Sequence, residues 1–199
     1  MDRPRDGTRR PRIDRPPLDF IGLPQVTDHL PPAAPQPRTI QGLHAREHAL
    51  LLGHLQNLRS IAEAVMTEQP LRLRDRLEGV LTFLHDDTLP HMEMEETTIY
   101  AVVDRLPDGP HAGPAMALDH EAIRALVHEV DGLTSGLTSK RKRMKLQGVL
   151  FALEAVTRLH IEKEERLYTP LLNQLSPRVR AAIRAQLLAH SVNRGHARR

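Results

Sequence analysis

From residue 39 onward, apolar positions in this chain recur at helical spacing. In TIQGLHAREHALLLGHLQNLRSIAEAV, Leu43, Leu51, Leu55, Leu58 and Val65 share one face and Thr39 stands where an N-cap is needed, which predicts a first helix. A second is expected from about Leu71 to Asp104, with Leu77, Val80, Leu84, Thr88, His91, Glu95 and Val102 along one stripe. Pro90 falls inside it. A proline there removes a backbone donor and crowds the carbonyl of Asp86, so a kink or widened turn is expected just before His91. LPDGPHAGP at 106–114 reads as a connector, and a third helix is expected from about Ala115 to Leu133 with Met116, His120, Ile123, Val127 and Val130 inward. After the turn TSGLTS, a fourth helix is expected from about Lys140 to Leu175, with Leu146, Leu153, Val156, His160, Glu164, Leu167 and Leu171 inward. Ser176 and Pro177 look like the N-cap and first-turn proline of a short basic fifth helix reaching about His190.

Four long amphipathic helices joined by short connections prescribe an all-α, up-down-up-down antiparallel four-helix bundle over residues 39–175, followed by the short helix and tail of 176–199. Residues 1–38 hold nine of the sixteen prolines, so a regular helix or strand cannot persist there. They read as an extended or disordered Pro/Arg-rich arm, with Phe20, Ile21 and Leu23 available to dock on the bundle. Composition agrees with helices: aromatics are 3% and Trp is absent, a poor supply for a sheet. The formal charge of +3 lies largely in the two ends, which carry no aromatic interleaving and no nucleic-acid reading motif, so they read as solvated tails. No stretch is apolar for long enough to span a membrane, and no apolar leader follows Met1; a cytoplasmic protein is expected.

Twelve histidines and no cysteine change the picture. Without Cys, disulfides, iron–sulfur clusters, thiolate zinc sites and cysteine nucleophiles are excluded, and metal chemistry must rest on imidazole and carboxylate. The sequences HMEMEETTIYAVV from His91 and HIEKEERLYTPLL from His160 repeat one pattern, His-x-x-x-Glu-Glu, on the inward face of the second and fourth helices. The helix preceding each presents one inward His after an acid: His48 in REHALL, 43 residues before His91, and His120 in LDHEAI, 40 residues before His160. This is a duplicated hairpin. Residues i and i+4 on a helix lie about 5 to 6 Å apart on one face, so an imidazole can bind one ion while the carboxylate reaches between two. Two such hairpins face to face bring His48, His91, Glu95, His120, His160 and Glu164 to one depth, a donor set that suits a pair of irons and also fits manganese or zinc. His54 and His85 point well away from these faces and are expected outside the site. Glu96 and Glu165, rotated by one residue, are expected to partner the ligands or form surface ion pairs. Tyr100 and Tyr168 follow each pair by a turn or so and are expected to pack with their hydroxyls at the bundle edge, the alternative being a hydrogen bond near the centre.

These motifs resemble the hemerythrin-like (HHE cation-binding) domain family over about residues 40–175. The resemblance implies two iron ions in an oxo- or hydroxo-bridged di-iron centre held by His48, His91, Glu95, His120, His160 and Glu164. It implies a small diatomic ligand or peroxide as partner, and a protein that binds or responds to O2, NO or peroxide. Alternatives are a di-iron enzyme for catalase-like peroxide removal or NO handling, and a regulatory iron sensor. The family's oxygen carriers have a second His one turn after the third-helix ligand; here that position is Arg124, a cation that cannot ligate iron. One position is therefore expected to be open or filled by solvent or a neighbour. His44, one turn before His48, is the candidate neighbour, with a bundle-end or supporting role as its alternative.

Overall fold

The computed structural model describes residues 39–107 and 112–197, with side chains described for 39–107 and 113–190. The arm expected over 1–38, with Phe20, Ile21 and Leu23, lies outside the described residues.

Helix α1 (Ile40–Ala64) starts where the Thr39 hydroxyl accepts a hydrogen bond from the Gly42 amide at 3.1 Å. The second rod is built of α2 (Pro70–Phe83), a π-turn over Leu84–Thr88, α3 (Leu89–Met94), a second π-turn over Glu95–Tyr100, and α4 (Ala101–Val103), end to end. The first π-turn is the widening expected at Pro90. There the Leu89 amide reaches back five residues to the Leu84 carbonyl. Helix α5 (Ala112–Leu133) is followed by a turn in which Gly136, at φ 75°, takes a left-handed conformation that a side chain would strain. Helix α6 (Lys140–Lys163) runs into a third π-turn over Glu164–Tyr168 and a 3-10 turn over Thr169–Gln174. Helix α7 (Pro177–Ala197) is longer than its sequence pattern suggested, and the Ser176 hydroxyl accepts from the Val179 amide at its start.

The rods close into a four-membered bundle: α1 packs on α2 and α6, and α5 packs on α6 and on Glu95–Tyr100. Helix α7 lies on α1 and Glu95–Tyr100 and covers one end. At the other end buried Arg143 donates to the carbonyls of Val65 (2.9 Å), Glu68 (2.8 Å) and Leu137, tying the two hairpin turns together. No described helix is long and apolar enough to cross a membrane.

Two apolar clusters divide the interior. One holds Leu51, Leu55, Leu84, Met92, Ile123, Leu153 and Ile161; the other holds Leu43, Ile99, Met116 and Leu172, with Ile183 and Leu187 of α7. Each rod passes from one cluster to the other through a short polar layer, and the histidines and glutamates of the motif lie in that layer. The inward stripes hold through the first π-turn to Glu95 and, with Val156 half-buried, to Glu164, and slip beyond those two glutamates. Val102 is only half-buried and Leu167 is 60% exposed, because each π-turn takes up an extra residue and rotates the helix beyond it.

Candidate metal centre

The six residues singled out in the sequence meet in the polar layer. His48, Glu95 and His120 are fully buried, and His91, His160 and Glu164 nearly so. His91 and Glu95 stand one turn apart across α3, as do His160 and Glu164 at the end of α6, while α1 and α5 bring His48 and His120 from the facing rods. A seventh residue joins them. His44 is buried one turn before His48, its ring 4.0 Å from that of His48 and 5.7 Å from that of His91, and its Nε2 lies 2.5 Å from Glu95 Oε1.

The donor atoms form two groups that could each hold a metal ion: His44, His48, His91 and Glu95, and Glu95, His120 and His160. Glu95 divides its carboxylate between them. Its Oε1 faces His44 (2.5 Å), His91 (2.7 Å) and His48 (3.5 Å), and its Oε2 faces His120 Nε2 at 3.4 Å. Glu164 Oε2 likewise lies between His48 Nε2 (3.1 Å) and His160 Nε2 (3.5 Å).

Behind four of the imidazoles stands a ring of acids. Nδ1 of His91 donates to Glu47 (3.1 Å), that of His120 to Glu96 (2.7 Å), that of His160 to Asp119 (3.3 Å) and that of His48 to Glu165 (3.3 Å). Such a bond fixes the tautomer and turns the Nε2 lone pair inward. The acids come from the same duplicated motif: Glu47 and Asp119 precede the lone histidines, and Glu96 and Glu165 are the second glutamates. Each supports a histidine on another rod, so the outer ring links all four. Lys163 pairs with Asp119, and Arg124 donates to Glu96 at 2.7 Å. Arg124 thus stands in the place of a ligand but supports one through Glu96.

The donor set fits a metal on its own geometry. With their Nδ1 protons given to Glu96 and Asp119, His120 and His160 set two Nε2 lone pairs 2.8 Å apart, an arrangement that a cation or shared proton must stabilise. His91 Nε2, Glu95 Oε2 and Glu164 Oε2 are buried beside one another's groups yet make no well-directed hydrogen bond. Each such orphan costs about 1 to 3 kcal/mol, and more for a carboxylate, unless a cation meets it.

Protons respond to the same field. Burial opposes a charge on His48, yet its bonds and attraction to Glu164 and Glu95 push its pKa up to about 10. Burial likewise opposes charge on His91, but Glu95 and Glu47 raise it to about 9. Glu95 is held well below the usual carboxylate range despite its burial, by attraction to His91 and by the His120, His44 and His48 imidazoles beside it. His160 is lowered, chiefly by burial.

Tyr100 corrects an expectation. Its hydroxyl is not at the bundle edge: it donates to Glu164 Oε1 and lies 3.3 Å from His120 Nε2. In an α-helix a residue five after Glu95 would turn away, but the π-turn over Glu95–Tyr100 returns it to the same face. Burial and the surrounding glutamates raise its pKa far above that of a free phenol, so it stays protonated. The sequence signal for Glu47 and Asp119 was the repeated acid before each lone histidine; for Tyr100 it was the place about a turn after the His-x-x-x-Glu-Glu pair, which left the bundle edge and the centre both open. His85 pairs with Asp131 at 3.1 Å and His54 stacks on Phe83, both outside the site as expected.

No curated protein and no solved structure matches the chain. The family model of the hemerythrin HHE cation binding domain matches residues 40–172, and a second match over 111–199 takes in the second hairpin. The first match spans α1 to the 3-10 turn and carries every residue of the inner cluster. With two thirds of its 199 residues under that match, the chain belongs to the hemerythrin HHE cation-binding domain family.

Proposed function

We propose that the cluster is a non-haem di-iron centre that binds or responds to O2, NO or peroxide. The observation that carries this reading is the division of Glu95, whose two oxygens face two separate imidazole groups. His44, His48 and His91 would hold one iron, His120 and His160 the other, with Glu95 and Glu164 reaching both. Imidazole and carboxylate donors of this kind also accept manganese and zinc; the family match and the two carboxylates that stand between the imidazole groups favour iron. A pair of irons supplies reversible one- and two-electron chemistry toward small oxygen and nitrogen ligands.

The rest falls to the chain. Glu47, Glu96, Asp119 and Glu165 orient four imidazoles, and the apolar clusters above and below exclude water. The second group has one imidazole fewer, which leaves room there for a small ligand. Tyr100 holds a proton on its hydroxyl between Glu164 and His120, within reach of such a ligand, and this favours reduction of peroxide as a second reading.

Anaerobic loading with Fe(II), metal analysis and an absorption spectrum before and after air test the reading. Two irons per chain and an oxo-to-iron charge-transfer band are expected. A chain that retains no iron after dialysis sinks it. A stable oxygenated spectrum identifies a binder, and rapid loss of added peroxide identifies the enzyme.

A further inference from the structure

The chain has no Trp and no Cys and just two tyrosines among 199 residues, so its phenols are its most easily oxidised side chains by one electron. Both lie on the same side of the cluster. Tyr100 is buried, its ring centroid 5.5 Å from that of His120 and its hydroxyl bonded to Glu164. The Tyr168 ring centroid lies 6.3 Å from that of Tyr100, and Tyr168 itself is half-buried, so it reaches solvent. The π-turns that begin at Glu95 and Glu164 end on these two residues. Orienting Glu164 would account for Tyr100 alone. It does not account for a second, part-exposed phenol packed beside Tyr100.

We infer that Tyr100 and Tyr168 form a one-electron relay between the metal centre and the surface, an inference that rests on the di-iron reading above. Hydrogen peroxide is the oxidant and a donor of one electron and one proton, such as ascorbate, is the reductant. Tyr100 passes an electron to the oxidised centre and its hydroxyl proton to Glu164 Oε1, which breaks the O–H bond and leaves a neutral phenoxyl. Tyr168 then returns an electron to Tyr100, which takes its proton back from Glu164, while Tyr168 loses its own proton to solvent. At the surface ascorbate restores Tyr168 with one electron and one proton. Two passages supply the two electrons with which peroxide, taking two protons from solvent, becomes two waters. Burial, and then the negative charge of Asp119, Glu164 and Asp104, raise the Tyr168 phenol, so it holds its proton until an electron leaves.

The test uses full-length iron-loaded protein, its iron content measured first, mixed with hydrogen peroxide and frozen for electron paramagnetic resonance. A tyrosyl radical is expected in the wild type, with loss of the signal per iron bound in Tyr100→Phe. Tyr168→Phe, which lies off the metal ligands, should retain the radical at Tyr100 but slow its decay on addition of ascorbate. An iron-loaded wild type without a tyrosyl signal overturns the relay alone. So does a Tyr168→Phe variant whose radical decays with ascorbate as fast as the wild type. A phenolate-to-iron band in the resting protein, lost in Tyr100→Phe, would make Tyr100 a ligand and overturn it too. A chain that takes up no iron overturns the di-iron reading and the relay together.

Discussion

The two hairpins carry the same motif and build unequal halves of one site. The α1 and α3 half presents three imidazoles, His44, His48 and His91; the α5 and α6 half presents two, His120 and His160, with the Tyr100 hydroxyl beside them. The difference traces to single positions. Four residues before His48 stands His44, and four before His120 stands Met116, which joins the apolar cluster under α7. Four after His120 stands Arg124, which turns outward to Glu96. A duplicated scaffold therefore sets where donors stand, and a few substitutions decide which half has three imidazoles and which has two.

Removing the shared residue should do most to break this picture. Glu95→Ala takes a ligand from both groups, and metal analysis is expected to show loss of both irons; retention of either would mean that Glu95 serves one half only. Next comes pH. In the metal-free protein His48 and His91 titrate near 10 and 9, above their unfolded value of about 6.5. The stability they contribute is whole below pH 6.5 and is lost as pH rises toward 10, because the unfolded chain gives up those protons first. Metal binding must displace the same protons, so it strengthens over that range. Thermal melts with and without chelator should show a gap that widens between about pH 6.5 and pH 9. A constant gap would mean that His48 and His91 are not displaced by metal.

The asymmetry itself is tested by exchanging its two sources. His44→Leu should weaken the three-imidazole half, and Met116→His should add a donor to the other; titration with Fe(II) would register the affinities moving in opposite directions. Unchanged affinity in His44→Leu would return that residue to a supporting role. The smallest effect is expected from Glu96→Gln, which loosens His120 and releases Arg124. It should cost about 10- to 100-fold in metal affinity at the two-imidazole half and leave the other unaffected.

Much of this was legible in the residues. Thr39 as a cap, the inward stripes up to His91 and His160, the widened turn at Pro90 and the depth shared by the six inward His and Glu follow from spacing along single helices. Leu167 and Val102 were misplaced and Tyr100 was left between two readings, for one reason: each lies within or just past a π-turn, where α-helical counting fails. His44 was ambiguous because a residue one turn from a ligand lies within the site or at its rim according to how the neighbouring rods close.

By itself, then, the sequence determined the helices, their inward faces and the inner donors, since all of these depend on short-range periodicity and on the burial of apolar stripes. Only the tertiary structure decided the pairing of Glu47 with His91, Glu96 with His120, Asp119 with His160 and Glu165 with His48. It alone brought the Tyr100 hydroxyl to Glu164 and divided Glu95 between two groups. The physical reason is that such contacts join different rods, and their partners are set by the rotation and depth at which whole helices pack.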